Sequence, residues 1–345
     1  MAHYWLRHES RANEARAALT PAGAARLLAE GHAVTVEESA TRIFPTADYA
    51  AAGATIAPTE SWRTAPAEAL ILGLKELPDS DAPLPHRHIM FGHAFKGQHS
   101  GQALLDRFRA GGGLLLDLEY LTDATGRRLA AFGYWAGYAG AAVSLLTWAA
   151  QQRGRGQAPV SAWPSGPAML AEVQSALVPL GGTRPTALVI GALGRVGQGA
   201  SDLCDAMGVP VTKWDMAETA HGGPFPEVLA HDLFFNCILA RPGTPLFVPK
   251  SALGAPRRLT VIGDIACDPD SDYNPVPLYE KATSWEAPAL RVHEAPPLDI
   301  MAIDNLPSLL PRESAEDFAD QLLPLLRDPG HAAWARAEET FRRHL

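Results

Sequence analysis

Short apolar runs alternate with stretches of helical period along most of the chain. HYWLR, HAVTVEE, ALILGLK, HIMFGHAF and GGLLLDLEYL have the length and aliphatic content of strands. Between the first two lies TPAGAARLLAEGH, a helix in which Thr20 caps, Pro21 occupies a position whose missing N–H costs nothing, and Gly31 supplies a left-handed stop. A second helix is expected from Ser100, in SGQALLDRFRAGGG. From Gly133 the segment GYWAGYAGAAVSLLTWAAQQ is long, helical and rich in small residues, which suits close packing between domains or against another subunit. The loop RGRGQAPVSAWPSGP follows, and then a second α/β series: TALVIGALGRVGQGASDLCDAMG, VTKWD, DLFFNCIL and RLTVIGDIA. The terminal ESAEDFADQLLPLLRD is helical in period, with Pro324 expected to kink or break it.

This alternation predicts an α/β protein with two doubly wound domains, each built on a largely parallel sheet, and a cleft between them. The expected division is residues 1–132 with 306–345, and residues 133–305. At 345 residues, 47% hydrophobic and 19% charged, the chain can bury two cores. Its formal charge of −9 disfavours nucleic acid and anionic membrane surfaces as partners. No export signal or membrane-spanning run is visible, so a cytoplasmic monomer or small homo-oligomer is expected. Three scattered cysteines, Cys204, Cys237 and Cys267, form neither a disulfide framework nor a metal cluster. His86 and His88 lack companion ligands, read as a solvated loop, and leave no metal site expected.

TALVIGALGRVGQGA places Gly191, Gly194 and Gly197 between an apolar strand and a helix. Glycines allow a tight turn, and the helix N-terminus offers N–H donors to a pyrophosphate. About 20 residues on, VTKWD ends in Asp215, where an acid would hydrogen-bond ribose hydroxyls and repel a 2′-phosphate. A strand-to-helix turn that binds nothing has the same letters; the order of strand, turn, helix, strand and acid favours a Rossmann-like NAD site.

In GLKELP an apolar run ends in Lys75 and Glu76. An ammonium has no use along a central strand, but at a strand's carboxyl end, partly desolvated, it becomes a base. The next run ends in His93 and Lys96, and parallel neighbours would bring Lys75 and His93 to one crevice. Taken singly, each is better explained by a solvated lysine and a structural histidine; as a pair at successive strand ends the two readings stand level. Arg16, Arg127 and Arg128 supply guanidinium forks suited to a substrate with several carboxylates, with surface ion pairs the plainer explanation of each.

EARAALTP, SWRTAP, GLKELP, FGHAFK, DLEYL, GRRLAAFG, VIGALGR, KWD with ET and GGPF after it, FNCI and IDNLPSLLPRE together resemble the NAD-dependent, L-lysine-forming saccharopine dehydrogenases, relatives of alanine dehydrogenase and transhydrogenase. The resemblance covers essentially the whole chain. It implies reversible oxidation of saccharopine by NAD to L-lysine and 2-oxoglutarate, in lysine metabolism. It places the proton-accepting lysine on Lys75 and the acid-base histidine on His93, with Glu76 and Glu119 as acids that tune the site. Substrate contacts fall on Arg16, Lys96, Gln98, Arg128, Phe132, Ala266, Cys267 and Asp268. Cofactor contacts fall on Arg127, Gly191, Gly194, Arg195, Gly197, Asp215, Thr219, Ile265, Ile303, Asp304, Asn305 and Leu306. Fungal members carry a cysteine in the glycine turn able to bridge to the one in FNCI; Val196 stands there, so Cys237 is expected as a free thiol. Leu239 replaces a tyrosine of the NAD site, and Ala266 a serine of the substrate loop. A related opine or amino-acid dehydrogenase joining a different amine to a different 2-oxo acid is the alternative.

Overall fold

A computed structural model describes residues 1–95 and 99–345, with the side chains of His99 and Ser100 left aside. The chain forms two compact units, Met1–Ala131 with Pro311–Leu345, and Phe132–Leu310.

The first unit contains strands β1 (His3–Leu6), β2 (Ala33–Glu37), β3 (Thr55–Ala57), β4 (Ala69–Leu72), β5 (Arg87–Met90) and β6 (Leu114–Asp117). They pair in the order β3-β2-β1-β4-β5-β6, every pair parallel. This is the doubly wound order, in which the chain changes direction across the sheet between its first and fourth strands. The crevice at that switch point is flanked by the ends of β1 and β4. Four of the five expected runs form strands close to their predicted places, while HIMFGHAF is strand only up to Met90. Thr55–Ala57 is an additional edge strand of three residues.

The helix Pro21–Ala29 is built as its sequence predicts. Thr20 accepts the Gly23 N–H at 3.1 Å, Pro21 opens the helix, and Gly31 turns the chain at φ +85°. The second helix runs His99–Gly111. The helix Pro311–Arg327, which a last helix Ala332–His344 follows, continues through Pro324, so the proline does not break it. Its apolar face, including Phe318, Leu322 and Leu326, is buried, and that packing offsets one lost backbone bond. His86 and His88 are buried, not solvated. β5 lies between β4 and β6, and His88 packs edge-on against Trp62 and Phe108.

The second unit contains β7 (Ala187–Ile190), β8 (Val211–Trp214), β9 (Leu233–Asn236), β10 (Val261–Asp264), β11 (Leu290–Glu294) and β12 (Pro297–Met301). Their order is β11-β12-β10-β9-β7-β8, parallel except for the β11–β12 hairpin at one edge. Its switch point lies between β7 and β9. The glycine-rich helix Gly133–Gln152 packs on Arg195–Ala206 within this unit. A Cβ on Gly137 would lie 1.8 Å from the Val196 carbonyl oxygen, and one on Gly199 1.9 Å from that of Tyr134. The small residues serve this backbone-to-backbone crossing.

Candidate active site

The first sheet gathers its charged groups at its carboxyl edge. Beyond β4 and β5 the chain remains laced: Gly73 N–H donates to the Ile89 carbonyl at 3.0 Å, and Phe91 N–H to the Leu74 carbonyl at 3.1 Å. The segments carrying Lys75 and His93 are therefore neighbours, as the parallel reading of the two runs requires.

Lys75 is fixed through its backbone from the turn after β1. Glu9 accepts the Leu74 N–H at 2.7 Å on one oxygen and the Lys75 N–H at 3.0 Å on the other. Arg7 pairs with Glu9 at 3.3 Å and donates to the Lys75 carbonyl. Both side chains are buried. Burial pushes the Glu9 carboxyl up, opposed by the Arg7 charge and the two backbone donors. Gly73 is required here, since a Cβ would lie 2.4 Å from Arg7 Nε.

Arg16 is also buried. Its Nε and one terminal nitrogen meet the two oxygens of Glu14 at 2.7 and 2.5 Å. Burial raises the Glu14 carboxyl, but the charge and hydrogen bonds of Arg16, with the charge of Lys75, outweigh it and hold the group below its ordinary range. The Lys75 ammonium thus stands within electrostatic reach of this pair. Glu76 is exposed, 3.8 Å from Arg11.

His93 is exposed and adopts φ +49°, its ring parallel to Phe91 at a centroid distance of 6.3 Å. Its Nδ1 lies 3.8 Å from one oxygen of Glu119, whose other oxygen is 3.3 Å from Arg128. Beneath them Asp117 ends β6. Burial pushes its carboxyl up to about 6, with the Glu119 charge adding to the shift. Lys96 and Gln98 lie outside the described residues. Arg127 is exposed in a tight loop, its N–H on Asp123 at 3.0 Å.

In the second unit the expected cofactor residues gather at the carboxyl edge of the sheet. Gly191 turns at φ +90° directly after β7, and a Cβ on Gly197 would lie 2.2 Å from the Gly191 carbonyl oxygen. The helix Arg195–Ala206 starts at Gly194 with no side-chain cap. Asp215 follows β8; its carboxylate accepts the Leu193 N–H at 3.0 Å, and its backbone carbonyl the Thr219 hydroxyl at 3.0 Å. A sharp glycine turn, an uncapped helix start and an acid at the next strand's end are the parts that hold a dinucleotide, so these residues fit NAD.

Ile265 to Asp268 follow β10. Cys267 sits at φ +48°, its Sγ donating to the Ala302 carbonyl at 3.0 Å and its N–H to Asp264 at 3.3 Å. Asp264 also accepts from Asn236 at 2.9 Å and from Tyr279 at 2.8 Å, a buried network beneath the loop. Ile303 to Leu306 follow β12, where Asn305 donates to the Ser308 hydroxyl at 2.6 Å. Phe132 precedes the helix Gly133–Gln152 as its N-cap residue. Of the expected cofactor set Arg127 alone belongs to the first unit. Cys204 and Cys237 are buried free thiols, and burial pushes Cys204 up to about 12 and Cys237 well above its ordinary value.

Arg7, Glu9, Glu14 and Asp117 were not singled out from sequence. The usable signal was the one that marked Lys75: HYWLRHE and GGLLLD are also apolar runs that end in charge.

Among the described residues no helix is long and apolar enough to cross a membrane, and no cluster of possible metal ligands is present. Residues 5–139 match the family model of the alanine dehydrogenase/PNT N-terminal domain. The chain is 44% identical to the saccharopine dehydrogenase (NAD(+), L-lysine-forming) of Candida albicans, over 99% of this chain and 96% of that protein. To the protein of the same name from Neurospora crassa it is 44% identical, over 97% and 94%. Among solved structures an L-alanine dehydrogenase superposes with TM-score 0.68 at 17% identity, covering 99% of this chain and 94% of the other. A transhydrogenase from Sinorhizobium meliloti gives 0.62 at 16%, covering 94% and 93%; these two show the shared fold.

Proposed function

This chain belongs to the NAD-dependent, L-lysine-forming saccharopine dehydrogenases, and we propose that it catalyses the reversible conversion of saccharopine, NAD and water to L-lysine, 2-oxoglutarate, NADH and a proton. The observation that carries this reading is the pairing of an Lys75 segment and an His93 segment at adjacent parallel strand ends beside a switch point.

At neutral pH the secondary amine of saccharopine is protonated and its lone pair is occupied. Lys75 removes that proton, which frees the lone pair to form the imine. NAD, when bound, supplies the acceptor for the hydride that leaves the α-carbon. His93, backed by Glu119, then takes a proton from the water that adds to the imine carbon and returns one to the nitrogen as the carbinolamine collapses. Arg16 and Arg128 orient substrate carboxylates, with Lys96 and Gln98, and Glu76 and Glu119 adjust the charge around the two acid-base groups.

The second unit binds NAD through Gly191, Gly194, Arg195, Gly197, Asp215, Thr219, Ile265 and Ile303 to Leu306, and Arg127 is assigned to the cofactor as well. Phe132, Ala266, Cys267 and Asp268 are assigned to substrate contact. Met1–Ala131 with Pro311–Leu345 serve as the catalytic unit and Phe132–Leu310 as the cofactor unit.

The test is the absorbance of NADH. It should fall when L-lysine and 2-oxoglutarate are both present and stay constant when either is omitted. Equal or faster oxidation with ornithine, or with another 2-oxo acid, would assign the chain a different amine or acceptor.

A further inference from the structure

A carboxylate at the end of a buried strand is costly unless its oxygens are satisfied. All four residues of β6 are buried, and Asp117 is the only charged one. Met90 stands opposite it in the register, so β5 delivers Gly92 and His93 just beyond its side chain. One oxygen of Asp117 accepts the Gly92 N–H at 3.2 Å; the other accepts the Glu119 N–H at 2.9 Å.

These two bonds reach the segment that carries His93 and the carboxylate residue that backs it. Gly92 immediately precedes His93, whose φ of +49° lies in the left-handed region that a residue with a Cβ avoids unless its surroundings hold it there. Glu119 carries the carboxylate 3.8 Å from His93 Nδ1. Gly92 has no room for a side chain, since a Cβ would lie 2.6 Å from Leu115 Cδ2 and 3.2 Å from Asp117 Oδ2.

We infer that Asp117 is a positioning residue for catalysis: its two oxygens hold the backbones of Gly92, directly before His93, and of Glu119, and so set His93 and Glu119 in the mutual placement that the proton transfers need. The inference rests on the proposed acid-base role of His93. The side chain remains buried beneath the pair and works through the geometry of residues that touch substrate. The charges bearing on it are Glu119, which raises its carboxyl, and Arg128, which lowers it.

Two experiments test this role. In the unmodified protein the backbone amide resonances of Gly92 and Glu119 should titrate together, with one inflection near the pH of about 6 to which the Asp117 carboxyl is pushed. Separate inflections overturn the inference, because the two N–H groups then do not share one carboxylate. In the second, Asp117→Asn should lower kcat by about tenfold to hundredfold and shift the pH limb that His93→Asn abolishes, with the KM for NADH unchanged. If His93→Asn itself leaves rate and limb intact, the proposed role of His93 fails. If His93→Asn removes them but a folded Asp117→Asn keeps parental kcat and limb, the positioning role alone fails. Should Asp117→Asn not fold, Asp117→Glu, whose longer arm displaces both oxygens, takes its place: lowered kcat with a shifted limb upholds the positioning role, and parental values of both overturn it.

Discussion

Glu9 accepts the backbone N–H of Lys75 at 3.0 Å across a sequence separation of 66 residues. The proposed base is thus held by the end of the strand on the far side of the switch point. Glu9→Gln keeps an acceptor but leaves Arg7 buried without its counter-charge. Removing one member of a buried pair costs about 3 to 5 kcal/mol. Urea unfolding of the variant should show that loss; an unchanged midpoint would mean that the pair contributes nothing.

Lys75→Met should lower saccharopine oxidation by about 10² to 10⁴ at neutral pH while NADH binding, followed by fluorescence, stays at the parental value. The defect should shrink as pH rises, because the substrate amine then loses its proton to solvent. A constant ratio of parent to variant across the pH range would place the proton acceptor elsewhere.

Asp215→Ser retains a residue able to cap the short helix Met216–Thr219 but removes the charge at the end of β8. A hydrogen bond to a charged group contributes about 1.5 to 3 kcal/mol. Preference for NADH over NADPH should therefore fall by about tenfold to hundredfold, read as a ratio of kcat/KM.

His88 is fully buried, neither ring nitrogen meets a hydrogen-bond partner among the described residues, and burial lowers its pKa well below 6.5, with the charge of Arg7 adding to the effect. The unfolded chain therefore binds a proton that the folded one refuses. Stability from this group is intact above pH 6.5 and is lost as pH falls below it toward the depressed folded value. His88→Phe should flatten the decline in thermal midpoint between about pH 6.5 and 5. A parental slope in the variant would trace acid sensitivity to another group.

Gly137→Ala should destabilise by about 1 to 3 kcal/mol, because the new methyl overlaps the Val196 carbonyl and must push the two helices apart. Gly156→Ala, where nothing lies within 4 Å, is the matched control and should be neutral or slightly stabilising. Similar midpoints for the two variants would show that the helix crossing yields freely.

Local pattern carried a large part of the fold. The Thr20 cap, the Gly31 stop, the glycine turn after β7 and most of the strands follow from residue type and spacing, because caps, turns and burial periodicity are satisfied within a few residues. Three strands escaped for the same reason. Thr55–Ala57 is too short to show a period, Leu290–Glu294 is mostly polar with no fully buried residue, and Pro297–Met301 opens on a proline and is interrupted by Asp299.

The sequence by itself determined that apolar runs end in charge at Arg7, Lys75, His93 and Asp117, and that a glycine turn precedes Asp215. Only the tertiary structure decided which of those ends meet. The order β3-β2-β1-β4-β5-β6 sets Glu9 beside Lys75, and the β5–β6 register sets Asp117 beneath Gly92 and Glu119. It also buried His88, which together with His86 had read as part of a solvated loop. Strand order and register depend on how crossover helices pack across the whole sheet, and no window of the chain contains that balance.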